Sequence, residues 1–229
     1  MIIAKFVAAV LVGYLLGSIP FGLLIGKRSS KVDVREHGSG KIGATNVLRT
    51  AGRKAAALAV ALDVSKGVLA VVFAGLIVGR TFLVVGDFGL GALVAQVLAA
   101  LAAMAGHNWS VFLKFRGGRG VATFMGGLMA LCPVAAIFGG EIFIIGAGLT
   151  KFASLGSIAG TVGTYAVLVP LTIMHGFPIE YLAYALIGTI IIIVMHRGNI
   201  RRLMSGKERK LDEKAEKLDS SPSSTEPVG

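Results

Sequence analysis

Between clusters of basic residues this chain runs for about twenty residues without charge, and it does so repeatedly. A helix needs about 20 apolar residues to cross the hydrocarbon core of a bilayer. The repeated runs therefore point to a polytopic membrane protein. Composition agrees: the 229 residues are 55% hydrophobic and 15% charged, with a mean hydropathy of +0.79. A water-soluble domain of this length needs more charge to cover its surface.

The first run, roughly 3–26, carries Lys5 early. It is too long for a signal peptide, lacks a small-x-small cleavage site, and meets Lys27 and Arg28 as a stop-transfer sequence does. It reads as a retained span. Six more follow at roughly 55–79, 89–106, 121–136, 139–151, 155–174 and 179–195. A short loop with Arg80 and Asp87 joins the second and third, and His175-Gly176-Phe177-Pro178 makes a turn before the last. The stretch between Arg119 and Lys151 is too long for one crossing and short for two, so Cys132-Pro133 and Gly139-Gly140 are its expected breaks.

Segments 27–54, 107–120 and 196–229 hold 19 of the 23 Lys and Arg residues. Seven spans put all three on one face, whereas six put the tail opposite the first two. Cationic loops stay in the cytoplasm. The expected fold is therefore all-α, a polytopic bundle of seven transmembrane helices with the N-terminus outside and the C-terminus cytoplasmic. Residues 1–205 form the membrane-embedded domain. Residues 206–229 are charged and then Ser/Pro-rich, with too few apolar side chains to repay ordering. Disorder is expected there, with weak attraction of its basic part to anionic membrane lipids.

The three basic segments read REHGSGKIGATNVLRTAGRK, GHNWSVFLKFRGGRGVAT and HRGNIRRL. Loops that are merely positive explain the charges. They do not explain the glycines, or the His, Asn, Ser and Thr packed among them. Exposed backbone N–H groups, fixed cations and hydroxyl donors are what a phosphate needs. Gly117, Gly118, Arg119 and Gly120 stand just before an apolar run starting at Val121. Glycines there turn successive N–H groups toward one point, and the following helix adds its positive end. A plain glycine-rich helix break is the competing reading.

Gly38-Ser39-Gly40-Lys41 looks like part of a nucleotide P-loop, but Arg35 stands where its first glycine belongs and Ile42 where its Ser/Thr belongs. No nucleotide is expected, and the region is assigned to phosphate through Ser39, Thr45 and Arg49. His196 and Asn199 are three apart and share a face of any helix end; capping the last span is the plainer role for His196. His107, Asn108 and His37 read as structural. Asp63 and Lys66, i and i+3 within an apolar span, should pair, because a lone charge there is costly. Gly13-x-x-x-Gly17 invites close helix packing. The one cysteine, Cys132, allows neither a disulfide framework nor a cysteine metal site and reads as a small buried residue.

Taken together, GSGKIGATNVLRTAGRKAA, GHNWSVFLKFRGGRGVATFMG and HRGNIRRL resemble the bacterial acyl-phosphate:glycerol-3-phosphate acyltransferases, the PlsY-type family. LLGSIPFGLLIGK near the start and LDVSKG in the second span look like that family too. The match covers about residues 1–205. It implies a multi-pass enzyme of the bacterial inner membrane with its active site on the cytoplasmic face. The enzyme would move a fatty acyl group from long-chain acyl-phosphate to the 1-hydroxyl of glycerol 3-phosphate, giving lysophosphatidic acid and phosphate, early in phospholipid biosynthesis. It would need no cofactor, metal, nucleotide or nucleic acid. By the resemblance, Ser39, Arg49, Lys114, His196 and Asn199 form the glycerol 3-phosphate site, with Arg49 and Lys114 on phosphate and His196 and Asn199 orienting glycerol. Acyl-phosphate goes to Gly117, Gly118, Arg119 and Gly120, helped by Thr45 and Asn46. A substrate phosphate would accept the hydroxyl proton, with His196 as the competing base.

Such chemistry needs little beyond positioning and neutralising two like-charged reactants, because acyl-phosphate is already activated. The alternative is a membrane transporter of a phosphorylated solute, with the basic segments as an anion-attracting mouth. It lacks the internal repeat expected of transporters. A phospho-alcohol transferase would want clustered aspartates for a metal; the first loop has only Asp33 and Glu36, and the second none.

Overall fold

The computed structural model describes residues 2–85 and 88–218. Asp87 and the SSPSSTEPVG end of the tail lie outside the described residues. The helices are α1 (Ile2–Ser18), α2 (Phe21–Ser30), α3 (Ala44–Val78), α4 (Ala92–Asn108), α5 (Val121–Leu131), α6 (Pro133–Thr150), α7 (Ala153–His175), α8 (Ile179–Met195) and α9 (Arg197–Met204). An antiparallel hairpin of β1 (Leu83–Val85) and β2 (Phe88–Leu90) links α3 to α4.

The molecule is an all-helical membrane bundle, and among the described residues five stretches are long and apolar enough to cross a bilayer. They are Ile2–Ser30, Ala44–Val78, Ala92–Leu113, Pro133–Thr150 and Ala153–His175; α8 with α9, bent by 60°, makes a sixth if counted together. The expected first span is broken at Pro20, which lacks the N–H that continuing α1 into α2 would need. The expected fourth span is the short α5, of 11 residues. The chain breaks at Cys132, and Pro133 opens α6 at a position where no N–H is required. Gly139 and Gly140 do not break the helix. They lie inside α6, where a Cβ on Gly139 would strike Thr164 of α7.

Small residues set the helix spacing. A Cβ on Gly13 or Gly17 would run into the backbone of Ala99 or Ala103, so α1 lies directly on α4. Gly67 lies in the same way against α5. Phe124 and Tyr184 stack with centroids 5.1 Å apart, and the Tyr184 hydroxyl donates to Phe124 O at 2.9 Å, locking α5 to α8. Asp63 and Lys66 do pair, at 2.9 Å. Lys66 Nζ also donates to Gly17 O and Ile19 O, both at 2.9 Å, and stitches the α1–α2 break to α3.

The two ends of the bundle differ. Phe6 of α1 packs with Val78 and Ala95, beside the hairpin residues Leu83 and Leu90. The segments around 39–49, 119–122 and 196–209 meet at the other end.

Candidate functional site

The basic end encloses a cavity of about 490 Å³. Its mouth is lined by Ser39, Lys41, Thr45, Asn46, Arg49, Arg119, His196, Asn199, Arg202, Glu208 and Arg209. Its depth is mostly apolar, with Val60, Val64, Met125, Met129, Phe143 and Ile144 on the walls, but Asp63, His107, Ser157 and Thr161 also line it. From Gly120 to Met129 the lining follows α5 for roughly 14 Å at about 1.5 Å per residue.

Three helix N-termini open onto this mouth. Gly43, Ala44 and Thr45 begin α3, Gly120, Val121 and Ala122 begin α5, and Ala153 and Ser154 begin α7. Each presents backbone N–H groups without intrahelical partners and a positive dipole end. Added to these, Lys41, Arg49, Arg119, Arg202 and Arg209 supply fixed charge. Burial pushes the Arg119 guanidinium down to about 10, with Arg202, Arg49 and Arg209 adding repulsion. Burial likewise lowers Lys41, and the nearby Arg119, Arg116 and Arg197 add to it. Buried cations that repel one another are stabilised by an anion placed among them.

Local chemistry explains how each segment reaches the cavity. Asn46, only 2% exposed, is the post around which the first loop is wound. Its Nδ2 donates to Val34 O, His37 O and Lys41 O, and its Oδ1 accepts from Ser39 N. With its amide so committed, Asn46 shapes the loop that presents Ser39 and Lys41. Gly52 then kinks α3 with φ 85°, a conformation open to glycine. The kink separates the turn carrying Arg49 from the apolar length below it.

In the second segment the glycines are packing residues. Gly118 N donates to His107 O at 3.0 Å, and a Cβ on Gly118 would enter the His107 ring. A Cβ on Gly117 would strike His107 O. Gly120, at φ 77°, turns the chain into α5. This packing delivers Arg119 and Gly120 to the cavity, while Gly117 and Gly118 stay behind it, against α4. Lys114 is exposed and lines a separate surface pocket with Arg35, Phe112, Leu113 and Arg116. The structure therefore gathers Ser39, Thr45, Asn46, Arg49, Arg119, Gly120, His196 and Asn199 on one cavity, and not Lys114, Gly117 or Gly118.

His196 sits at the bend between α8 and α9, 2% exposed. Its Nδ1 is 2.8 Å from Ile192 O, which can only accept; Nδ1 therefore carries the proton and Nε2 is left as an acceptor. Asn199 lies one turn on, 5% exposed.

The sequence held little sign of the groups on the far rim. Ser154 lies in an unremarkable KFASLGS stretch, and Glu208 lies in the tail. Composition alone suggests disorder for that tail, yet its residues 207–218 lie across the basic end through backbone hydrogen bonds. Leu211 N donates to Lys151 O, Ala215 N to Arg49 O, Gly38 N to Glu216 O and Leu218 N to Glu36 O. Arg49 in turn donates to Arg209 O and Lys210 O. Backbone pairing, which needs no apolar side chains, orders this stretch. No group of three or more His, Cys, Asp or Glu side chains able to hold a metal occurs among the described residues.

Known proteins match this arrangement. The family model described as glycerol-3-phosphate acyltransferase matches residues 7–206. Glycerol-3-phosphate acyltransferase 3 of Dehalococcoides mccartyi is 66% identical over 215 residues, covering 94% of this chain and all of the relative. The crystal structure of PlsY (YgiH), an integral membrane glycerol 3-phosphate acyltransferase, in its glycerol 3-phosphate form superposes with a TM-score of 0.77 at 35% identity, over 90% of this chain and 94% of that one. Its lysophosphatidic acid form gives 0.74 at 34% identity, with the same coverage.

Proposed function

The chain belongs to the glycerol-3-phosphate acyltransferase family, and on that premise we propose how its cavity performs the reaction. It is a multi-pass membrane acyltransferase that acylates glycerol 3-phosphate in phospholipid synthesis.

The donor is a long-chain acyl-phosphate. The observation that carries this reading is the cavity's division into a cationic mouth ringed by three helix N-termini and a mostly apolar depth among α3, α5 and α6. Acyl-phosphate is divided in the same way. Its tail enters the depth, its phosphate meets the N-terminus of α5 with Arg119, and the carbonyl carbon lies at the boundary. Glycerol 3-phosphate, wholly polar, stays in the mouth. Arg49 and Arg119 neutralise the two phosphates, Ser39 and Thr45 add hydroxyls, and the Nε2 of His196 and the amide of Asn199 orient the glycerol. Arg119 takes the part that family resemblance gives to Lys114, because Arg119 lines the cavity.

In the reaction the 1-hydroxyl oxygen forms a bond to the acyl carbon. The bond from that carbon to the phosphate oxygen breaks, and the hydroxyl proton departs with inorganic phosphate. The leaving group is already good, so catalysis consists of holding two anions together.

The membrane is the bacterial inner membrane, and the basic end faces the cytoplasm, as the concentration of Lys and Arg there favours. Seven crossings follow if α1–α2 is one and α5 and α6 count as two. Both the start of α5 and the start of α7 line the cavity, so the hairpin between them returns to the side it left. The test is purified protein given acyl-phosphate and glycerol 3-phosphate without metal or nucleotide. Release of phosphate with formation of lysophosphatidic acid is expected. Flux of glycerol 3-phosphate across sealed vesicles without that release would sink the reading.

A further inference from the structure

A site made of cations and N–H groups holds phosphate well but does not orient a hydroxyl. A hydroxyl that is to attack must donate its proton to something, so its direction is set by an acceptor. Besides the hydroxyls of Ser39 and Thr45, which rotate freely, this mouth offers the glycerol two acceptors of fixed direction, the ring of His196 and the amide of Asn199. Each works only if turned the right way. Ile192 O turns the ring. The amide is turned by Glu208.

The Glu208 side chain is 5% exposed. Its Oε1 accepts from Asn199 Nδ2 at 2.6 Å and from Ser154 Oγ at 2.8 Å, and its Oε2 accepts from Arg202 Nε at 2.8 Å. Burial raises its carboxyl, but hydrogen bonds from Asn199, Ser154 and Arg202 outweigh that and hold it below the ordinary value, so it is ionised at neutral pH. An ionised carboxylate only accepts. The amide face toward it must therefore be the NH2, which leaves Asn199 Oδ1 as the acceptor available to the cavity. No described residue hydrogen-bonds that oxygen.

Resting on the site proposed above, we propose that Glu208 is a positioning residue. Its carboxylate fixes the amide of Asn199 so that the oxygen, and not the nitrogen, meets a glycerol hydroxyl. Hydrogen bonds to residues 209–211 hold the carboxylate in place: the Arg49 guanidinium donates to Arg209 O and Lys210 O, and Leu211 N donates to Lys151 O. The tail is thereby part of the active site's support.

The experiment is a double-mutant cycle on kcat/KM for glycerol 3-phosphate, with acyl-phosphate saturating and melting temperature in detergent measured alongside. Glu208→Gln, which has the same shape but offers an NH2 of its own, is expected to lower kcat/KM about tenfold or more. Asn199→Ala should lose at least as much, and Asn199→Ala with Glu208→Gln should lose no more than Asn199→Ala alone. The KM for acyl-phosphate should not move. If Glu208→Gln does not insert, Glu208→Asp carries the same test, since the shorter carboxylate keeps its charge but does not reach the amide. Losses that multiply would overturn the proposal, as would full or raised activity in Glu208→Gln, which would make the carboxylate a mere occupant of the anion site. Full activity in Asn199→Ala would instead overturn the site assignment itself.

Discussion

Lys66 Nζ lies 2.9 Å from Asp63 Oδ1, each side chain is 2% exposed, and Asp63 borders the cavity. His107 Nδ1 lies 3.1 Å from the same Nζ and 3.5 Å from the same Oδ1. Breaking such a pair from one side leaves an uncompensated buried charge. Asp63→Asn and Lys66→Met are each expected to destabilise by about 3 kcal/mol or more. Asp63→Asn combined with Lys66→Met should cost less than the two single losses added. Thermal unfolding in one detergent checks this; strictly additive losses would show that the pair is not the unit.

Arg49→Ala and Arg119→Ala should each lower acyl transfer by about a hundredfold or more, the usual cost of deleting one preorganised charge donor. Lys114→Ala, outside the cavity, should stay within about threefold of the parent. Phosphate-release rates on inserted, correctly sized protein decide it. A collapse in Lys114→Ala would show that the second segment approaches the substrate by another route.

Gly118→Ala should fold poorly, because its methyl enters the His107 ring at the end of α4. Overpacking of this kind costs about 1–3 kcal/mol. Gly43→Ala, where a Cβ meets nothing within 4 Å, is the control and should insert normally. Comparable yields and melting temperatures for the two variants would refute the packing role.

The carboxyl of Glu208 is held below its ordinary 4.5 by Asn199, Ser154 and Arg202, against the opposing effect of burial. A depressed folded-state value means that the ionised form stabilises the fold. That contribution is complete above pH 4.5 and is lost as pH falls through the folded-state value. The melting temperature of the parent should therefore exceed that of Glu208→Gln by a constant margin from pH 8 to pH 6, as linkage requires. The margin should shrink on acidification below 4.5. A margin that grew on acidification would reverse the sign and refute the assignment.

Arg80 and Ser205 are both exposed and stand at opposite ends of the bundle. With Cys132 replaced by alanine, a cysteine at position 80 should react with an impermeant thiol reagent from outside intact cells. A cysteine at 205 should react only after the membrane is opened. The reverse pattern would invert the proposed orientation.

Much of this architecture was legible because its causes are local. Apolar length marks a span, so the helices from Ala92 to Asn108 and from Ala153 to His175 stand close to where the hydropathy places them. Charge spacing three apart predicts the Asp63–Lys66 pair, and Gly13 and Gly17 predict the contact of α1 with α4. The breaks were less legible. Pro20 interrupts a run that hydropathy reads as one, while Gly139 and Gly140, plausible breakers, stay inside α6, where Gly139 serves as a seat for α7. Arg49, His196 and Asn199, singled out by their motifs and by family resemblance, line one cavity. Lys114 and Arg119 are not distinguishable by type, only by which way the glycine-packed loop turns. Glu208 was hidden because hydrogen bonds between distant backbone segments hold it, and those leave no pattern in side-chain composition.

The short α5 has a consequence for traffic. At 11 residues it covers little more than half the thickness that α6 spans with 18. The wall beside Met125 and Met129 is thus shorter than the one that α6 provides. Under the proposed donor assignment, that shorter side is where an oily reactant and its oily product would come and go without travelling through water. The small, doubly charged partner and the spent phosphate would use the aqueous door.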